Sequence, residues 1–97
     1  MTFQEIINSD KPVLADFFAE WCEPCKMMLP ILKETKQRVG EQATIIKIDI
    51  DKSAEAAATY QVRSVPTLIL FKRGEIRWRQ SGVIPANELE RIINENL

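Results

Sequence analysis

Histidine is absent from this 97-residue chain, and cysteine occurs only twice, at positions 22 and 25. Zinc sites normally take four ligands from cysteine and histidine, so one copy can assemble neither a four-thiolate nor a mixed thiolate-imidazole site. Charge of one sign is missing too: 13 basic and 14 acidic residues give a formal net charge of -1. Nothing in that mixture marks a nucleic-acid or membrane surface. The opening Met1-Thr2-Phe3-Gln4-Glu5 lacks the basic start and apolar run of a signal peptide, and the apolar stretch Val65 to Phe71 is far too short to span a bilayer. The cytoplasm is therefore the default compartment. Repeats, low-complexity tracts and Gly/Ser linkers are absent, so residues 1–97 read as one domain, and 45% hydrophobic residues suffice for its own core.

What the chain does have is the tetrad Cys22-Glu23-Pro24-Cys25, flanked by Trp21 and Lys26. Two thiols at this spacing can close a small disulfide ring. A helix is expected to begin inside the motif, which points its free amides and positive end at the first sulfur and favours thiolate, the form that attacks disulfides. A purely structural disulfide would contribute little, because so short a ring barely restricts the unfolded chain. In a reducing compartment such a pair is expected to cycle, and dithiol-disulfide exchange is the leading reading.

Patterning places the motif. Thr2 is expected to cap a short helix through Phe3, Ile6 and Ile7, and Val13 to Phe18 reads as a strand covered on both faces. Met28, Ile31, Leu32, Thr35 and Val39 recur at helical spacing after the motif, with Pro30 inside that helix. Thr44 to Ile50 reads as a strand and Ser53 to Tyr60 as a short helix. Thr67 to Phe71 and Ile76 to Ser81 form a hairpin around Lys72-Arg73-Gly74-Glu75, and Ala86, Leu89, Ile92 and Ile93 mark a closing helix. The order α-β-α-β-α-β-β-α predicts an α/β fold, with a mixed sheet flanked by helices on both faces.

The run Ala15-Asp16-Phe17-Phe18-Ala19-Glu20-Trp21-Cys22-Glu23-Pro24-Cys25-Lys26-Met27, with Pro30-Ile31-Leu32, Val65-Pro66-Thr67-Leu68 and Phe71-Lys72-Arg73-Gly74-Glu75, resembles the thioredoxin family. These segments span most of the chain in the family's order. The resemblance implies a thioredoxin fold and a reductase of disulfides in protein substrates, working as a monomer. It implies no bound cofactor and a partner thioredoxin reductase that carries electrons from NADPH. Cys22 would be the exposed nucleophile and Cys25 the buried resolving thiol. Asp16 would be the proton acceptor for Cys25, with Lys47 as its charge partner, since burying a carboxylate in this apolar run should raise its pKa. Trp21, Glu23, Pro24, Val65, a cis Pro66 and Gly82 would face the substrate, the Val65 backbone pairing with an extended segment. Tyr60 and Trp78 are assigned to packing.

Three departures from the family pattern stand out. Glu23 replaces the usual glycine and opposes thiolate formation at Cys22. Phe18 occupies a position where a second tryptophan is common. The family's leading strand is missing before the first helix, so about four strands are expected, with Thr44 to Ile50 at an edge that Lys47 and Asp49 could protect. Two other functions remain open for the same pair. A disulfide oxidase or isomerase would be distinguished by reduction potential, and a redox-sensing binding module by the lack of turnover.

Overall fold

Thr2 and Glu5 set the start of the chain. In the computed structural model, which describes residues 1–97, the Thr2 hydroxyl accepts from the Glu5 amide at 3.1 Å while Glu5 Oε1 accepts from the Thr2 amide at 3.2 Å. This reciprocal cap stabilises the short helix α1 (Phe3–Ile7) by about 1 kcal/mol. Strand β1 (Val13–Phe18) follows and leads to helix α2 (Glu23–Val39), which continues past Pro30 and ends in one 3₁₀ turn at Gly40–Gln42. Strand β2 (Thr44–Asp49), helix α3 (Ala54–Thr59), strands β3 (Thr67–Lys72) and β4 (Glu75–Ser81), and helix α4 (Ala86–Asn94) complete the expected order.

The four strands lie in the order β2-β1-β3-β4. β1 runs parallel to β2 and antiparallel to β3, and β3 is antiparallel to β4. β2 is therefore at the edge, as anticipated. The β3–β4 turn is tighter than the four residues read from sequence: only Arg73 and Gly74 lie between the strands, with φ of 54° and 79°. Positive φ at both central residues gives the turn the twist a hairpin needs. Their amides donate to Ser9 and Ile7 carbonyls at 2.9 and 3.0 Å, which ties the hairpin to the end of α1.

Alternation along the central strands feeds two cores. Leu14, Leu68 and Leu70 face α2 and α4, where Met28, Leu32, Leu89 and Ile93 meet them, while Val13, Phe17, Ile69 and Phe71 face α1 and α3. Tyr60 joins Phe3, Phe17 and Phe71 in an aromatic cluster whose ring centroids are 5.1 to 6.4 Å apart. Trp78 packs on the α2/α4 core. Both aromatic residues thus serve packing, as expected. A smaller cluster of Ala19, Cys22 and Cys25, covered by Phe18, Ile50 and Val65, sits where β1 hands over to α2.

Candidate active site

The carboxyl end of β1 delivers the Cys-x-x-Cys motif to the amino end of α2. Cys22 is the N-cap residue: its Sγ accepts from the Cys25 amide at 3.2 Å, in place of the hydroxyl or carboxylate that usually caps a helix. The two cysteines are joined as a disulfide, with Cα atoms 5.3 Å apart. Pro24 occupies the first turn, where a missing amide costs no helical bond.

One expectation is corrected by the geometry. Cys22 is no more exposed than Cys25, and each retains 4% of its accessible surface. The ring folds Cys22 inward against Ala19, and the loop that carries Val65 closes over it, with the Val65 carbonyl oxygen 3.6 Å from Cys22 Sγ. The Val65–Pro66 peptide bond is cis, and Pro66 is buried. The Val65 amide donates to no group in the chain. Beyond Pro66, the Gly82 amide donates to the Pro66 carbonyl at 2.8 Å, with Gly82 at φ 100°.

Trp21 is 67% exposed, yet its indole donates to Asp51 at 3.0 Å and so is held in place. Glu23 and Pro24 are exposed, and Glu23 pairs with Lys26 at 2.9 Å. Glu20 and Lys52 form a looser pair at 3.6 Å.

Beneath the disulfide, Asp16 is fully buried and neither carboxylate oxygen has a hydrogen-bond partner. Burial penalises its charged form and pushes its pKa up to about 6, against a smaller opposing pull from Lys47. Asp16, Cys25, Lys26 and Lys47 line one cleft of about 210 Å³. Lys47 is not the contact partner that an ion pair would need. Its ammonium lies over the Phe18 ring, 5.5 Å from the centroid, and it acts on Asp16 only through space. No three acidic, cysteine or histidine side chains are grouped to share a metal ion.

A family-wide sequence model of thioredoxin matches residues 1–95. The chain belongs to the thioredoxin family. It is 44% identical over 90 residues to thioredoxin of Bacillus subtilis, a match that covers 93% of this chain and 86% of that protein. It is 46% identical over 95 residues to chloroplastic thioredoxin Y2 of Arabidopsis thaliana, covering 96% of this chain and 57% of the relative. The chain thus spans little more than half the length of that chloroplastic thioredoxin. The solved structure of a mutant thioredoxin from Halobacterium salinarum superposes with a TM-score of 0.85 at 34% identity, over 96% of this chain and 80% of that one. No helix is long and apolar enough to cross a membrane.

The structure brings Val65 against Cys22 and Cys25, links Gly82 to the neighbouring Pro66, and places Asp16 and Lys47 in a cleft shared with Cys25, while Trp21, Glu23 and Pro24 are exposed beside the disulfide in the chain. Sequence reasoning missed Asp51, which steadies Trp21, and the hydroxyls of Ser64, Thr67 and Ser81 beside the cis bond. A run of common polar residues carries no signal for such contacts.

Proposed function

We propose that this chain is a thiol-disulfide oxidoreductase that reduces disulfides in protein substrates through a Cys22–Cys25 dithiol/disulfide cycle. The observation that carries the reading is the disulfide at the amino end of α2, above a buried and unpartnered Asp16 that shares a cleft with Cys25. Family membership supports the same chemistry.

The cycle begins with the reduced protein. The Cys22 thiolate, favoured by the Cys25 amide and the positive helix end, attacks one sulfur of a substrate disulfide. That bond breaks, a mixed disulfide forms, and the other substrate sulfur leaves as thiolate. Asp16 takes the Cys25 proton, a role suited to a carboxylate with a pKa of about 6. Cys25 then attacks Cys22 Sγ and releases the second substrate thiolate. The substrate gains two electrons, and the protein is left with the Cys22–Cys25 disulfide. Lys47 moderates the charge on Asp16 through space.

Trp21, Glu23, Pro24 and Gly82 form the surface on which the substrate lies, and the Val65 backbone beside cis Pro66 pairs with an extended segment. An NADPH-dependent thioredoxin reductase restores the dithiol, no bound cofactor is used, and the protein works as a cytoplasmic monomer.

Trapping tests the assignment. Cys25→Ser should accumulate mixed disulfides with protein substrates through Cys22, whereas Cys22→Ser should not. Equal capture by both variants would reject the roles. Failure of the unaltered protein to sustain insulin reduction in excess dithiothreitol would reject the activity.

A further inference from the structure

Each hydroxyl carries one proton, and that limit gives direction to a ring of side chains beside the Val65–Pro66 bond. Thr67 Oγ1 lies 2.6 Å from the Ser64 carbonyl oxygen, an atom that can only accept, so the Thr67 proton goes there. The 2.8 Å bond between Thr67 and Ser81 must then be donated by Ser81. With its proton committed, Ser81 accepts from the Ser64 hydroxyl at 3.2 Å. The ring leaves Ser64 by its side chain, passes through Ser81 and Thr67, and returns to Ser64 at its carbonyl.

The return point matters for chemistry. The Ser64 carbonyl and the Val65 N–H are opposite ends of one planar peptide group. A hydrogen bond accepted by the carbonyl draws electron density from the nitrogen and makes the N–H a better donor, and bonds running head to tail around a ring reinforce one another. The Val65 N–H is the group that has no acceptor within the chain. Thr67 is 1% exposed, so its link to the Ser64 carbonyl is shielded from competing water. The adjoining Gly82 amide, bonded to Pro66, ties the other side of the loop to the end of β4.

We propose that the ring of Ser64, Ser81 and Thr67 is a positioning device for the substrate-docking amide: it sets the plane of the Ser64–Val65 peptide and strengthens Val65 N–H as a donor to an extended protein substrate. The inference deepens the function proposed above and rests on it, because it names what sets affinity for protein disulfides over small ones. A small aromatic disulfide such as 5,5′-dithiobis(2-nitrobenzoate) has no peptide backbone to pair with Val65 and does not use the device.

Ser81 is exposed, so Ser81→Ala removes the middle of the ring without opening a core cavity. We expect the KM for insulin reduction to rise about fivefold with kcat retained in Thr67→Val, which removes the bond on the Ser64 carbonyl outright, and by a smaller factor in Ser81→Ala, where that bond survives and only its reinforcement is lost. The rate with 5,5′-dithiobis(2-nitrobenzoate) should stay within roughly twofold, and Ser81→Thr, which keeps the hydroxyl, should restore the KM. In the substrate-free oxidised protein, the Val65 amide proton should move upfield in Ser81→Ala and in the near-isosteric Thr67→Val, as its donor strength falls. Equal losses with both substrates, failure of Ser81→Thr to restore the KM, or an unmoved Val65 amide would overturn the proposal. Because that amide signal needs no substrate, a fault in the ring is distinguishable from an absence of reductase activity.

Discussion

Asp16 and Lys47 stand directly opposite one another in the parallel register of β1 and β2, yet they do not form an ion pair. The Lys47 ammonium is drawn to the face of Phe18, while the Asp16 carboxylate is buried with no hydrogen-bond partner in the chain. A contact ion pair would have held Asp16 ionised over the whole useful pH range. Separation lets burial dominate, and that leaves the group able to exchange protons near neutrality.

The same burial predicts an unusual pH profile of stability. Asp16 titrates near 4 in the unfolded chain and at about 6 in the folded one. Between those values the native protein holds a proton that the unfolded chain has released, so stability falls as pH rises from about 4 to about 6 and then levels. The loss is about 3 kcal/mol for a shift of this size. Asp16→Asn should therefore be more stable than the parent at pH 8, by about 2 kcal/mol once the cost of a buried amide is allowed for. The gap should close by pH 4. Urea unfolding of the oxidised proteins at pH 4, 6 and 8 measures it, and a gap independent of pH would show that Asp16 does not titrate as argued.

Removing the distant cation tests the Coulombic part separately. Lys47→Met keeps an unbranched side chain over Phe18 but takes away the charge that lowers the Asp16 pKa. Asp16 should then titrate at higher pH than in the parent, which the pH dependence of its carboxyl carbon resonance would report. An unchanged midpoint would mean that solvent in the cleft screens Lys47 completely.

Features set by neighbours in sequence were readable before the structure. Thr2 was legible as the cap of α1, and the structure adds the reciprocal bond from Glu5 three residues on. Gly74 marked the hairpin, and β2 was placed at the edge because nothing before α1 read as a strand. The family resemblance supplied the cis state of Pro66, which local preference would have missed. Contacts over long separations were not legible. Cys22 is buried partly by Val65, 43 residues away, so its spacing from Cys25 could not reveal its exposure. Lys47 was matched to Asp16 by strand position, but the choice between carboxylate and aromatic ring depends on side-chain packing.

Gly82 offers a test of backbone against packing. Its φ of 100° is one that L side chains rarely adopt, yet a Cβ built there meets nothing within 4 Å. Gly82→Ala should consequently lose stability through strain alone, by roughly 1–3 kcal/mol. Any loss of activity should come through the Gly82–Pro66 hydrogen bond rather than a steric block of the site. Thermal unfolding measures the first effect. A loss well beyond that range would point to a clash absent from the structure, and no loss would show that the segment adapts.

Glu23 should restrain the nucleophile from within the motif. It lies next to Cys22 in the first turn of α2 and engages the ammonium of Lys26, so the nearest cation is partly neutralised before it can act on the sulfur. In the reduced protein, Glu23→Gly removes one negative charge and frees one positive charge beside Cys22. Both changes favour thiolate, and the couple should become more oxidising because its reduced form is stabilised. The pair is exposed, 82% at Glu23 and 58% at Lys26, so solvent keeps the effect small. We expect the thiolate fraction at pH 7 to rise about two- to threefold, with the increase shrinking in 1 M salt, where the screening length falls to about 3 Å. Iodoacetamide alkylation of Cys22 at pH 7 and equilibration with glutathione read the two consequences. An alkylation rate equal to or below that of the parent would show that Glu23 does not hold the thiolate back, and the helix end would then govern Cys22 without it.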